Sequence, residues 1–279
     1  MTITTNPLHG VELANEGVHY GIYDHGAHIW AWQPEGTAPV LWMSEQSMFE
    51  DGQPIRGGVP VCFPWFGGGP EGKLQPGHGF ARLHAWKLID ATETDGTLVV
   101  EYHLDDTITG EQPRWPHKYA ARLKATFGSQ FEVALTVTNT DDVPFAYEEA
   151  VHTYLNVGDV RHVRVTGLAG AKYLDKVAGG WATQVGDVEI TAETDRVYLS
   201  TDDVLVDDPT HGRKLVIGKT GSTNTVVWNP WVAKSAAMPD FGDDEWPGML
   251  CIEAANALED AVTLQPGESH TMTQHISLL

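Results

Sequence analysis

The chain has 279 residues, 42% hydrophobic and 20% charged, with 38 acidic against 17 basic side chains and a formal net charge of −21. These proportions describe a globular chain with ample core and exclude intrinsic disorder. The acidic surplus argues against nucleic-acid and anionic-membrane partners, because phosphate would be repelled over most of the surface.

The N-terminal run Met1-Thr2-Ile3-Thr4-Thr5-Asn6-Pro7 lacks the basic region and apolar core of a secretory signal, and no apolar run reaches bilayer-spanning length. A cytoplasmic location is therefore expected. Short strands are predicted at 18–23, 27–33 and 39–43. Next comes Arg56-Gly57-Gly58-Val59-Pro60-Val61-Cys62-Phe63-Pro64-Trp65-Phe66-Gly67, followed by His78-Gly79-Phe80-Ala81-Arg82. Two arginines and a histidine among glycines, prolines and large aromatics suit a concave site. Glycine lets backbone approach a ligand, proline stiffens a loop, and aromatic faces supply walls. In so acidic a chain, two arginines in that frame suggest capture of an anion.

Period-two alternation governs the middle of the chain. Leu98, Val100, Tyr102 and Leu104 share one face, as do Tyr119, Ala121, Leu123, Ala125 and Phe127. After Gly128-Ser129-Gln130 the pattern resumes with Phe131, Val133, Leu135 and Val137, which predicts a β-hairpin. Further strands are expected at 162–166, 187–191, 214–218, 223–228, 249–254 and 270–278, and a turn or two of helix at 231–237. Asp-Asp pairs at 105–106, 141–142, 202–203, 207–208 and 243–244 read as solvated turns, without the ligand spacing of a calcium loop. With no linker, repeat or composition shift, residues 1–279 read as one all-β domain of antiparallel sheets, a sandwich or barrel.

Cys62 and Cys251 both lie in apolar contexts and read as buried thiols rather than a disulfide scaffold. The 13 histidines include no HExxH and no tight His/Cys cluster, so neither a dedicated metal site nor a cofactor is expected. Gly67-Gly68-Gly69-Pro70-Glu71-Gly72-Lys73 lacks the GK[ST] ending of a nucleotide loop. His152 and Glu253 are ionisable residues in apolar, strand-like sequence. Taken alone, His152 reads first as a satisfied core or edge histidine. Glu253 must be hydrogen-bonded, protonated or facing a pocket, because an unpartnered buried carboxylate is costly.

The ordered blocks RGGVPVCFPWFG, HGFAR, HTYLNVGD, TDRVY, VWNPW and CIEAAN resemble the aldose 1-epimerase superfamily, and within it the D-hexose-6-phosphate mutarotases (glucose-6-phosphate 1-epimerases). The resemblance runs from about residue 20 to the C-terminus and implies a galactose mutarotase-like β-supersandwich. It implies an isomerase that opens and recloses a sugar ring, with His152 and Glu253 as acid and base and neither metal nor nucleotide required. Such a pair needs His152 protonated while Glu253 is ionised, so a near-neutral or raised histidine pKa is expected, helped by a nearby carboxylate such as Glu148 or Glu149. Arg56 and Arg82 match the arginines that hold the sugar's phosphate, with structural salt bridges as their other reading. His78 matches a ring-contacting histidine, or else fixes its loop. Asp195 matches an aspartate that binds sugar hydroxyls, with Asp175 a second candidate. Trp65, Phe66, Trp228 and Trp231 are candidate walls or core. The chain departs from several relatives at Gly77, where they carry glutamine; this bears on one substrate contact and not on the catalytic pair. The expected partner is a small sugar phosphate, with an aldose 1-epimerase on plain sugars and a non-catalytic carbohydrate-binding β module as alternatives. Oligomeric state stays open, a monomer being sufficient.

Overall fold

Alternating apolar side chains can be buried only if sheets face one another, and the chain builds two large antiparallel sheets that do so. A computed structural model describes every residue except Asn6, which belongs to the N-terminal run, and Glu16. The nine-stranded sheet runs in the order Val188–Glu189, Arg164–Thr166, Val204–Asp208, Arg213–Thr220, Ser269–Leu278, Gln130–Asn139, Tyr119–Phe127, Thr97–Asp105, Lys87–Thr94. The eight-stranded sheet runs Trp181–Thr183, Lys172–Asp175, Thr194–Leu199, Asn224–Asn229, Met249–Asn256, Glu149–Val151, Val61–Cys62, with Tyr154–Asn156 also paired to the Met249–Asn256 strand. One continuous apolar cluster joins them, with Val133 and Leu135 from the first sheet and Val227 and Ile252 from the second. A four-stranded sheet from the N-terminal region, Thr2–Thr4 to His28–Gln33, adds Val11, Ile22 and Trp32 to the same cluster.

The predicted hairpin forms with Phe127 opposite Phe131, and residues 231–237 are the helix Trp231–Ala237. Residues 39–43 form no strand, only single bridges from Leu41 to Leu155 and from Met43 to Gly57. Residues 162–166 divide into a 3-10 turn, Val160–His162, and the strand Arg164–Thr166. Lys87–Thr94 escaped the sequence reading because it is an edge strand whose inward residues, Leu88 and Ala91, are only partly buried, and a register shift between Leu88 and Asp90 breaks its alternation. Asp207 and Asp208 correct the solvated-turn expectation: both end a strand, and Asp208 is fully buried against His211 and the Gly158 amide. Both cysteines are free and buried. Among the described residues no helix is long and apolar enough to cross a membrane.

One strand departs from alternation. Every residue of Met249–Asn256 is buried, because one face packs on the other sheet while the opposite face floors a cavity. Register decides what lies beside it. Glu253 pairs with Val226, which pairs with Val197; Cys251 pairs with Trp228, which pairs with Asp195. Since side chains alternate across a strand, Glu253, Cys251, Trp228 and Asp195 share one face.

Candidate active site

A cavity of about 220 Å³ opens on that face, lined by Arg56, Phe66, His78, Arg82, His152, Lys176, Asp195, Val226, Trp228, Lys234, Met238 and Glu253. All six site residues read from the sequence line it. The structure also decides between the weaker candidates. Asp175 is absent from the lining: its carboxylate caps the turn at Val177 and Ala178 and pairs with Arg196. Of the aromatics, Phe66 and Trp228 are walls. Trp65 is core, its indole N–H donating to Pro76 O, and Trp231 packs on Trp246.

His152 and Glu253 meet because of pairing on both sides of a short irregularity. Val151 lies opposite Ala254 and Tyr154 opposite Cys251, so counting inward sets His152 opposite Glu253. His152 Nδ1 stands 3.4 Å from Glu253 Oε1. The imidazole stacks on Tyr154 at 4.7 Å between centroids and only 10° between planes, which fixes its orientation. Nδ1 is buried without a hydrogen-bond partner, as is Glu253 Oε2.

Burial, then the charges of Arg82 and Arg56, hold the His152 pKa well below its usual value. Burial, then the neighbouring Asp195 charge, push Glu253 well above the carboxylate range, with Lys176 and Arg82 pulling the other way. The expected elevation of His152 is therefore absent in the free protein. Neither Glu148 nor Glu149 reaches it: Glu148 accepts from the Phe66 and Leu258 amides, and Glu149 bonds Asn256 beside His270. Glu253 itself is the carboxylate beside the imidazole. Both shifts act against the ion pair: burial and the neighbouring charges favour the uncharged imidazole and the protonated carboxyl.

The loop that delivers Arg56 is built on glycines. Gly58 has φ of +58°, and a Cβ there would meet Ile29 O at 2.1 Å, so only glycine lets the RGG loop lie on the neighbouring strand. The loop thereby delivers Arg56 to the cavity, where Nε and Nη2 donate to Asp240 at 3.2 and 3.0 Å and Nη1 donates to the Tyr154 hydroxyl at 2.9 Å. Burial opposes the guanidinium charge, but Tyr154 and Asp240 together raise the Arg56 pKa above its ordinary value. The salt-bridge reading of Arg56 thus holds alongside its place in the site. Arg82 differs. Its Nη2 donates to Gly77 O at 2.9 Å, its Nε is buried and unpartnered, and no carboxylate pairs with it among the described residues. Gly77, the position of departure, serves Arg82 through its backbone.

His78 adopts φ of +64°, an uncommon value for a residue with a side chain. Its Nδ1 accepts from the Gly67 amide and from the Cys62 thiol, each at 3.3 Å. Burial and then Arg82 keep the ring neutral, so Nε2 carries the hydrogen and is the donor available to a ligand. Both readings of His78, loop fixing and ligand contact, are met by one tautomer.

Sequence reasoning missed Lys176, Lys234, Asp240 and Tyr154. Lys176 Nζ lies 3.5 Å from Asp195 Oδ1 and over the Phe66 ring, while Lys234 pairs with Glu193 at 3.0 Å. Tyr154 stood inside the HTY block and could have been singled out. The other three carry no motif of their own.

Comparison with known proteins gives this arrangement a family. The aldose 1-epimerase family model matches residues 9–277. The chain belongs to the aldose 1-epimerase family. Family relatives from Cenchrus ciliaris and Escherichia coli K12, each carrying the name "Putative glucose-6-phosphate 1-epimerase", are both 36% identical, over 88% of this chain and 77% and 82% of their own lengths. A solved structure described as a "putative mutarotase (YeaD)" from Salmonella typhimurium superposes with a TM-score of 0.87 at 29% identity, covering 97% of this chain and 90% of that one. The β-supersandwich expected from the sequence is the fold observed. As a member of the family, this protein is an isomerase acting on a sugar.

Proposed function

We propose that the protein interconverts the α and β anomers of a hexose 6-phosphate, glucose 6-phosphate among them, and that His152, Glu253, Arg56, His78, Arg82 and Asp195 carry the reaction. The carrying observation is Arg82, a guanidinium without a carboxylate partner among the described residues, lining the same cavity as the His152–Glu253 pair. A cation left unneutralised in so acidic a protein suits an anionic ligand, and a phosphate accepts guanidinium hydrogen bonds bidentately. The names of the relatives point to the same substrate.

In this reading Glu253 removes the anomeric hydroxyl proton. The C1–O5 bond breaks as the C1 carbonyl forms, and His152 delivers its proton to O5. Rotation about C1–C2 presents the other carbonyl face, and closure reverses both transfers. His152 Nε2 makes no hydrogen bond among the described residues and is the nitrogen free to address O5. His78 Nε2–H and Asp195 supply a donor and an acceptor for ring hydroxyls. A bound phosphate offsets the Arg82 and Arg56 charges that depress His152, so the substrate's own anion moves the shared proton toward the acid that needs it. Phosphate recognition is thereby coupled to the chemistry.

Polarimetry provides the test. Freshly dissolved α-glucose 6-phosphate should lose its excess rotation faster with the protein than without, and α-glucose should respond much less. Equal acceleration of both sugars would favour an aldose 1-epimerase of plain sugars, and acceleration of neither would defeat the assignment.

A further inference from the structure

Cys251 has no part in the ring-opening scheme, yet the strand period places it two residues from Glu253 on the same face. One donor atom from each of His152, Cys251 and Glu253 lies within 4.8 Å of the others, and all three residues are buried. Two of the available donors, His152 Nδ1 and Glu253 Oε2, have no hydrogen-bond partner. An imidazole nitrogen, a thiolate sulfur and a carboxylate oxygen form a ligand set of the kind that zinc takes in three-ligand sites, with the fourth position open.

We propose that His152, Cys251 and Glu253 form an inhibitory site for a thiophilic divalent cation, zinc above all, which disables the protein by occupying its base. Bond lengths of about 2.0–2.3 Å around zinc set tetrahedral donors roughly 3.3–3.8 Å apart. The His152–Glu253 separation of 3.4 Å already meets this. Only the cysteine must draw in, by about 1 Å at most, which is within reach of a side-chain rotation.

The cations around the cavity do not forbid it. Arg56, Lys176 and Lys234 are each paired with a carboxylate, on Asp240, Asp195 and Glu193, which leaves Arg82 as the uncompensated lining cation among the described residues. The carboxylate and the thiolate offset the charge of the ion, and the protons they give up leave to solvent. Magnesium and calcium gain nothing here, because both demand several oxygen ligands. A metal on these residues takes the carboxylate lone pairs needed to remove the anomeric proton, so metal binding and turnover exclude one another.

The inference rests on the proposed acid–base roles only for its effect on rate, so binding is tested separately. Cobalt(II) added to the metal-free protein should produce a thiolate-to-cobalt charge-transfer band in the near ultraviolet and intense tetrahedral visible bands. Zinc should erase them and magnesium should not. The band should vanish in Cys251→Ser and persist in Cys62→Ser, whose thiol touches His78 instead. Absence of the band from the wild-type protein, or its loss in Cys62→Ser and not Cys251→Ser, overturns the site without reference to any variant's activity. In the polarimetric assay, zinc should inhibit and a chelator should restore the rate. Cys251→Ser should keep its metal-free rate within about twofold while needing at least tenfold more zinc for half-inhibition, about 1.4 kcal/mol of weakened binding. Equal zinc sensitivity in the two proteins overturns the proposal.

Discussion

Arg56 and Arg82 line one cavity, each delivered by a glycine-containing loop, and their charges are treated differently. Arg56 is gripped by Asp240 and Tyr154, while Arg82 is steadied by one backbone carbonyl and meets no carboxylate among the described residues. The first guanidinium is neutralised and rigid, and through Tyr154 it braces the stacked His152 ring. The second has no carboxylate to offset its charge among the described residues. Two arginines that read alike in sequence thus differ in what compensates them, and on the proposed reading Arg82 is the receptor. An ion pair that satisfies its own members has little attraction left to offer a third group.

The contrast can be broken by substitution. The largest effects belong to neither arginine: His152→Ala and Glu253→Gln should each lower kcat about a thousandfold with either sugar, as expected for loss of a positioned acid or base. A fall below tenfold in stopped polarimetric rates would remove the pair from the chemistry. Arg82→Ala should cost about a hundredfold in kcat/KM for glucose 6-phosphate, roughly the 2–3 kcal/mol of charge-assisted hydrogen bonds, and leave glucose within about twofold. An equal loss with both sugars would show that Arg82 does not select the phosphate. Asp240→Asn loosens Arg56 and, through Tyr154, the histidine ring. It should lower kcat about tenfold with both sugars and change their ratio little. A loss confined to the phosphorylated sugar would make Arg56 a receptor like Arg82.

The smallest effect concerns pH. On the proposed mechanism the pair works with one shared proton, so the rate should fall at low pH, where both groups are protonated, and at high pH, where neither is. A bound phosphate adds negative charge, which favours protonated forms and moves both limbs upward. The limbs of kcat for glucose 6-phosphate should therefore lie at higher pH than those of kcat/KM, which report the free protein. Coincident limbs would mean that the phosphate charge does not reach His152.

Much of the site was legible because its residues violate local expectation. Glu253 is a carboxylate inside an apolar strand, and Arg56 and Arg82 are cations among glycines in an acidic chain. The family resemblance then gave those anomalies roles. What escaped had no such contrast. Asp240 stands just before the acidic run Asp243-Asp244-Glu245 and reads as one more acid of an acidic chain, and Lys176 opens the turn after the strand Lys172–Asp175 without any pattern of its own. The His/Cys/Glu cluster was missed for another reason: two of its members share a strand, but the third arrives from far along the chain, and a search for close spacing in sequence cannot find it.

The sequence by itself determined the all-β class, the core faces of the long strands and the chemical types gathered at the site, because alternation and burial cost are local properties of residue order. It also placed Gly58 where only glycine fits. Tertiary structure alone decided register. Pairing of Val151 with Ala254 and of Tyr154 with Cys251 is what brings imidazole, thiol and carboxylate together. Asp240, just beyond the helix Trp231–Ala237, is brought to Arg56 by packing, and so tertiary structure fixes which arginine has a carboxylate partner. Both depend on contacts between distant parts of the chain, where the energy lies in the pairing and not in either partner alone.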